Sequence, residues 1–187
     1  MVKRGLTVIL VVLVALSLVA CSTTAPPKTT VTGFFNALQC GDLDKAATFV
    51  FSEDGSTSEV IPMEEGQEDI IIKVFSKLSC ELKSETIEGD KAIVKAAVTS
   101  LDLVRIAMQT MSELMPMAFA MAFSDNPDEM DALAEQYIMN SLSDPNAPTT
   151  ITNVDVTLKK VEKQWLIVPD DALRNSITGN ASKAFGG

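Results

Sequence analysis

Five of the nine methionines in this 187-residue chain fall within residues 108–123. Thioether sulfurs are soft ligands that bind Cu(I), so a dense methionine cluster is a candidate metal site. Metal sites of this kind usually repeat in short motifs or add histidine or cysteine, and the chain contains no histidine. The methionines instead follow helical spacing and form two adjacent ridges. We therefore predict an apolar helix there, with no metal and no other cofactor. The five residues are Met108, Met111, Met115, Met117 and Met121.

The two methionine ridges have two interpretations. They could pack in the core against a sheet or the following helix, or they could form an adaptable apolar surface for a ligand or partner. Tyr137, on the next predicted helix, and Trp165, on a C-terminal strand, are candidate members of such a surface. Pro116 removes one backbone donor from the predicted helix and favours a kink.

The absence of histidine also limits catalysis. It removes Ser-His-Asp and Cys-His nucleophile systems and the usual general base near neutral pH. A carboxylate base with Tyr137 is conceivable, but Tyr137 lies on an apolar helix stripe. The acidic residues around 125–131 lack the alternation of a calcium loop, and a capped helix start at Asn126 accounts for them. We therefore expect no enzymatic activity.

The first 21 residues form a pattern typical of export and lipid attachment. Lys3 and Arg4 precede an apolar run that is short for a membrane-spanning helix, and the run ends in the sequence LVAC. This ending resembles the bacterial lipobox, in which the cysteine is acylated and becomes the new N-terminus. Residues 1–20 are thus a predicted signal peptide, and Cys21 is the predicted lipid attachment site. The protein would be exported and anchored to the cell membrane of a bacterial envelope.

The remaining cysteines, Cys40 and Cys80, have two interpretations. Disulfides form outside the cytoplasm, so the pair is a disulfide candidate. Two free thiols are the alternative, since Cys40 lies off the apolar stripe of its helix. The rest of the chain is acidic, because 13 basic and 25 acidic residues remain after residue 20. This charge argues against binding to nucleic acid.

The hydrophobic pattern predicts an α+β fold. We expect residues 21–30 to be a flexible tether, 31–179 a single domain, and 180–187 a disordered tail. Three N-terminal helices precede a hairpin that turns at Gly89-Asp90, and a second hairpin closes the domain. An all-helical segment, residues 102–143, separates the two hairpins. Helices followed by antiparallel strands indicate α+β and not a doubly wound sheet.

Two stretches carry a family resemblance. The sequence FFNALQCGDLDKAA resembles the opening helices of nuclear-transport-factor-2-like, cystatin-like cone domains, and VTLKKVEKQWLIVPDDAL resembles their closing hairpin. The layout is similar to bacterial lipoproteins of unknown function that carry this domain. The resemblance implies N-terminal helices packed on a curved antiparallel sheet and a conical cavity. The helical segment at residues 102–143 departs from the family pattern and looks like a helical-hairpin insertion between strands. Members include enzymes and non-catalytic binding modules, so the fold alone does not determine the function.

These patterns together favour a non-catalytic envelope lipoprotein. It would bind an apolar small molecule, peptide or protein partner through the cone and its methionine-rich insertion. The alternative is a structural or assembly protein that buries the methionine-rich face in a homodimer. A third reading is an isomerase-like enzyme of the same superfamily.

Overall fold

The computed structural model describes residues 24–52, 68–121 and 128–181, and it has the predicted α+β architecture. Helices and strands follow in the predicted order, with the helical segment between the two hairpins. The elements are α1 (Pro27–Gln39), α2 (Leu43–Ala47), α3 (Glu68–Phe75), β1 (Ser79–Glu88), β2 (Lys91–Leu101), α4 (Leu103–Met121), α5 (Asp128–Ser143), β3 (Thr149–Val161), β4 (Gln164–Ile167) and α6 (Asp171–Ile177).

The four strands form one curved, open antiparallel sheet in the order β1-β2-β3-β4. The β1–β2 turn falls at Gly89-Asp90, as the sequence predicted, and Gly89 takes the positive φ of 61° that favours glycine. Alternate residues of β2 face the core because side chains on a strand alternate between its two faces. Ala92, Val94, Ala96 and Val98 are all buried.

Helix α1 crosses the inner face of the sheet and buries its apolar stripe, which includes Phe34 and Leu38. Near its beginning, the Thr30 hydroxyl donates to the backbone carbonyl of Trp165 on β4, at 3.1 Å. At its end, the Gln39 amide donates to the Leu78 carbonyl just before β1. The helix therefore has its first residues beside β4 and its last residues where β1 begins.

The boundaries of the predicted tether and tail need correction. Helix α1 begins at Pro27, so residues 27–30 are helical and do not belong to a flexible tether. Pro27 and Thr30 are buried, which explains why this segment is ordered against the domain. Asn180 also belongs to the domain, because its side-chain amide donates to the Thr152 hydroxyl at 3.3 Å. The predicted signal peptide, Cys21 and residues 182–187 lie outside the described residues.

The helical insertion leaves the sheet between its two central strands. Leu101 and Thr149 form the last pair of the β2–β3 ladder, and the chain between them forms α4 and α5. Asp102 secures the exit, because its amide donates to the Pro148 carbonyl at 2.8 Å and its carboxylate accepts from the Arg105 amide at 3.0 Å. The second bond is a helix N-cap for α4. The predicted insertion between strands is thus present in the structure.

A pair of glycine substitutions tests the packing at the base of the insertion. Gly179 has a φ of 60°, and a methyl group there would overlap the Leu101 carbonyl oxygen. Gly89 has nearly the same φ but open space around it. Gly89→Ala should lower the free energy of unfolding by about 1 kcal/mol through backbone strain alone. Gly179→Ala should lower it by about 3 kcal/mol or more, because the steric clash is added to the strain.

Urea unfolding followed by circular dichroism measures both variants under the same conditions. Equal losses of stability in the two variants would show that Gly179 does not pack closely against Leu101.

Candidate functional site

The described residues form an open cavity of about 810 Å³ between α3, α4 and α5. This volume lies within the range of small-molecule sites, which are mostly apolar and concave. The cavity is lined almost wholly by apolar side chains, with Thr110 as the one polar residue. The lining residues are Ile70, Val74, Leu103, Ile106, Ala107, Thr110, Met111, Leu114, Met115, Ala118, Phe119, Ile138 and Leu142.

The floor of the cavity belongs to the protein core. Val74 on α3 and Ile106 on α4 are each less than a tenth exposed and pack into the main hydrophobic cluster. Thr110 is also buried, and its hydroxyl lies 3.5 Å from the Ser141 hydroxyl on α5. Since that hydroxyl has a partner within the protein, the buried floor presents no unsatisfied polar group to an apolar ligand.

The outer wall of the cavity is a row of exposed apolar side chains on α4. We call Met108, Met111, Met115 and Phe119 the methionine ridge. Their side chains are 69%, 68%, 51% and 70% exposed, respectively. The first of the two interpretations, core packing, is therefore wrong for the three methionines of the ridge. The helix buries its Ile106–Thr110 side instead and leaves the ridge open to solvent.

The ridge extends beyond the cavity itself. Met111, Met115 and Phe119 line the cavity, whereas Met108 lies outside it, in a shallower recess beside Val104 and Ser112. Met108 and Met111 are thus the same residue type, on the same helix, with the same exposure, and they differ in whether they face the cavity.

Met117 and Tyr137 have a different role from the ridge. Both are half-buried, and the Tyr137 hydroxyl donates to the Met117 sulfur at 3.8 Å across the α4–α5 contact. With the Thr110–Ser141 pair, this contact shows that the two helices pack antiparallel. The two residues hold the insertion together and do not line the cavity, so they are not the ligand-facing residues we predicted. Met121 ends α4, and its side chain lies outside the described part of the structure.

Trp165 is not part of this site either. Its side chain is 6% exposed and belongs to the core cluster, where β4 meets α1. It also borders a separate recess of about 360 Å³ that includes Thr24 and Thr29, near the beginning of α1. Trp165 therefore does not line the cavity among α3, α4 and α5.

Exposed acidic residues occur next to cavity residues on α3 and α5. Glu68 and Asp69 are exposed at the beginning of α3, next to the cavity residue Ile70. Glu135 is exposed on α5, three residues before Ile138, a spacing that places the two side chains side by side on a helix. The three helices that form the cavity contain seven acidic and two basic residues. Arg105, one of those two, is 3.5 Å from the Asp102 carboxylate.

The described residues contain neither a cluster of metal ligands nor a membrane-spanning helix. No group of three or more histidine, cysteine, aspartate or glutamate side chains comes together there in a way that could hold a metal ion. Among the same residues, no helix combines the length and apolar character needed to cross a lipid bilayer.

The two cysteines of the domain are free thiols, so the structure does not contain the candidate disulfide between Cys40 and Cys80. Cys40 follows the last turn of α1 and is exposed to solvent. Cys80 lies on β1 and is partly buried against the core. Burial disfavours the charged thiolate and raises the pKa of Cys80 from 9.0 to about 11.

This difference predicts selective alkylation. The thiolate is the reactive form, so Cys40 should react with iodoacetamide at pH 8 at least tenfold faster than Cys80. The rate at Cys80 should continue to rise between pH 9 and pH 11, because its thiolate population grows over that interval. Peptide mapping by mass spectrometry separates the two sites. Equal rates at pH 8 would contradict the burial of Cys80, and unfolding in urea, the control, should remove the difference.

Several cavity residues were not recognised as site residues from the sequence. Ile70 and Val74 were assigned to the apolar stripe of α3, and Ile138 to that of α5, with no sign that the two stripes face one another. A useful signal was available in α4, whose apolar residues cover more of its circumference than one neighbouring helix can bury. Such an excess indicates an open apolar surface, although it does not identify which neighbours border it.

Comparison with known proteins assigns the chain to no family. No known protein-family profile matches the chain, and no curated protein sequence matches it either. Among solved structures, it is similar to a protein described as a "putative lipoprotein (ycdA)" from Bacillus subtilis subsp. subtilis str. 168, with 19% sequence identity and a TM-score of 0.45. The match covers 83% of this chain and 47% of that chain, so the chain spans about half the length of that structure.

Proposed function

We propose that this protein is a non-catalytic envelope lipoprotein that binds an apolar ligand or partner in the cavity between α3, α4 and α5. The observation that carries the proposal is the combination of an open cavity of about 810 Å³ with exposed Met111 and Met115 along its wall. A soluble protein seldom leaves a large contiguous apolar patch open to water unless the patch binds something.

The side chains of the wall suit a ligand of variable shape. Methionine is unbranched, has three rotatable bonds and carries a polarisable sulfur, so it adapts to different apolar surfaces. Met111 and Met115 can therefore close around a ligand while the buried floor at Val74 and Ile106 stays fixed. This division between a rigid floor and an adaptable wall favours binding by apolar contact over recognition by specific polar groups.

The lining also supports a non-catalytic role. None of the residues that line the cavity has an ionisable side chain, and the Thr110 hydroxyl is paired with Ser141. General acid–base catalysis needs a titratable group within hydrogen-bond reach of the substrate. The described lining of this cavity therefore offers a bound molecule an apolar surface and no titratable side chain.

The anchoring part of the proposal rests on residues 1–21 of the sequence. If Cys21 carries the lipid, only five residues separate it from the first residue of α1, Pro27. Helix α1 runs for thirteen residues, or about 20 Å, from that end towards the beginning of β1. Helix α3 lies near the other end of α1, away from Pro27. This follows because a methyl group added at Gly41, just after α1, would contact Ile72 on α3. The cavity would thus lie on the side of the domain that faces away from the membrane, where a ligand could reach it.

The more specific family assignment is also a proposal. We infer that the domain is a relative of the nuclear-transport-factor-2-like cone domains, supported by α1 packing across the inner face of a curved antiparallel sheet. The α4–α5 insertion would then be an addition to that plan, and it supplies most of the cavity wall.

A matched pair of substitutions tests ligand binding. The neutral dye N-phenyl-1-naphthylamine should bind with increased fluorescence. Met111→Glu places a charge where the dye binds and should weaken its affinity about tenfold, because burial of that charge costs free energy. Met108→Glu makes the same charge change at the same exposure outside the cavity, and it should leave the affinity within about twofold. Equal effects of the two substitutions, or no dye binding at all, would overturn the proposed site.

Lipid attachment is tested separately. In a bacterial host fed a clickable palmitate analogue, the wild-type protein should incorporate the label and sediment with membranes. Cys21→Ser should abolish both, because it removes the thiol that accepts the lipid. Cys40→Ser is the control and should retain both. An unlabelled wild-type protein would exclude the lipoprotein assignment and leave the cavity proposal untouched.

A further inference from the structure

The methionine ridge is longer than the cavity it borders. It runs from Met108 to Phe119, twelve residues of α4, or about 17 Å from end to end. A small molecule held in the cavity would cover Met111 and Met115 but would leave Met108 exposed, since Met108 lies outside the cavity. An occupant that covers the whole ridge must therefore be elongated.

An amphipathic helix has the required shape. Its apolar residues at positions i, i+3, i+4, i+7 and i+11 form a stripe that fits a hydrophobic groove, and such a stripe extends about 17 Å in roughly three turns. Residues of α4 from Leu103 to Phe119 line the cavity, so the groove between α4 and the neighbouring α3 and α5 extends along the same helix as the ridge. Methionine-rich walls suit this mode of recognition because they adapt to the spacing of the incoming side chains.

The acidic residues beside the groove favour an occupant with positive charge. Glu68, Asp69 and Glu135 are exposed beside it, and α5 contains four acidic residues and no basic residue. Lys73 on α3 and the Asp102-paired Arg105 are the basic residues of the three helices. Complementary charge raises both the association rate and the specificity of a complex. A helix with basic residues flanking its apolar stripe fits this arrangement.

The same charge disfavours the other elongated occupants. A second copy of the chain related by twofold symmetry would bring the same acidic groove edge against itself, because a twofold interface pairs identical surfaces. An anionic membrane surface would also be repelled, and the groove lies at the opposite end of α1 from the proposed lipid anchor.

We propose that the methionine ridge and its groove bind a basic amphipathic helix of another protein. This inference rests on the proposed function, since it identifies the class of partner that the cavity accepts. The ridge supplies apolar contacts along its whole length, and Glu68, Asp69 and Glu135 supply the charge complementarity at the edges.

A synthetic peptide tests this inference on the intact protein. The probe is a leucine–lysine peptide of about 18 residues with leucines at i, i+3, i+4 and i+7. Two control peptides have the same leucines with glutamate in place of lysine, or the same composition in scrambled order. The first peptide should bind at least tenfold more tightly than either control, as measured by isothermal titration calorimetry.

Three substitutions then locate the binding surface. Met108→Gln and Met111→Gln should each weaken the peptide about tenfold, because both methionines would be covered. Glu135→Gln should weaken it about threefold at low salt. Glu88→Gln, at the exposed β1–β2 turn, removes the same charge away from the groove and should leave the affinity unchanged.

The outcomes separate this inference from the proposed function. Dye binding that is sensitive to Met111→Glu, together with no preference for the basic helical peptide, would overturn the inference and retain the cavity as a small-molecule site. Peptide binding that is unaffected by Met108→Gln would also overturn it, since the helix would then not cover the ridge. A stable homodimer that Met108→Gln and Met111→Gln dissociate would assign the ridge to a second copy instead. Failure of both dye and peptide to bind would overturn both proposals.

Discussion

The pairing of Leu101 with Thr149 at the end of the β2–β3 ladder determines where the open cavity lies. The two strands are neighbours in the middle of the sheet, so the 47 residues between the pair must leave the sheet and return to the same place. Asp102 sets the direction of departure by capping α4 and by donating to the Pro148 carbonyl on the returning chain. Helices α4 and α5 consequently project from one end of the sheet, where α3 is their neighbour.

This arrangement explains why an apolar helix face stays open. The sheet, α1, α3 and α6 supply most of the buried residues of the main core. Helix α4 therefore packs only on α5 and on the edge of the core, through Ile106 and Thr110. Its apolar residues extend over more of the circumference than these contacts cover, and the remainder becomes the methionine ridge. The cavity is open for two reasons. Helix α4 leaves the sheet at one end, where few elements can cover it, and it carries more apolar residues than those elements bury.

Periodicity predicted the fold well because local patterns determine most of its elements. The stripe that contains Phe34 and Leu38, the alternation along β2, and the caps at Asp42 and Asp170 depend on neighbouring residues only, and all are present. The site was less predictable. Two adjacent apolar ridges on α4 have the same helical period, so the sequence cannot show which of them faces the core. Only the positions of α3 and α5 decide that, and those positions depend on contacts far apart in the chain.

The aromatic residues show the same limit. The sequence makes Trp165 and Tyr137 candidates for the binding surface, yet the first is buried in the core beside α1 and the second contacts α4 from α5. Both residue types serve packing and recognition equally well, and composition does not distinguish the two uses.

The central claim is that Met111 and Met115 form the adaptable wall of a binding site while Met117 is a packing residue. Nuclear magnetic resonance of protein labelled at the methionine ε-methyl carbons tests it directly, because Met111, Met115 and Met117 each provide a separate probe. On titration with a neutral apolar ligand, the Met111 and Met115 signals should shift most and the Met117 signal least. Shifts concentrated at Met117, or signals of Met111 and Met115 that do not move while the ligand binds, would contradict the claim.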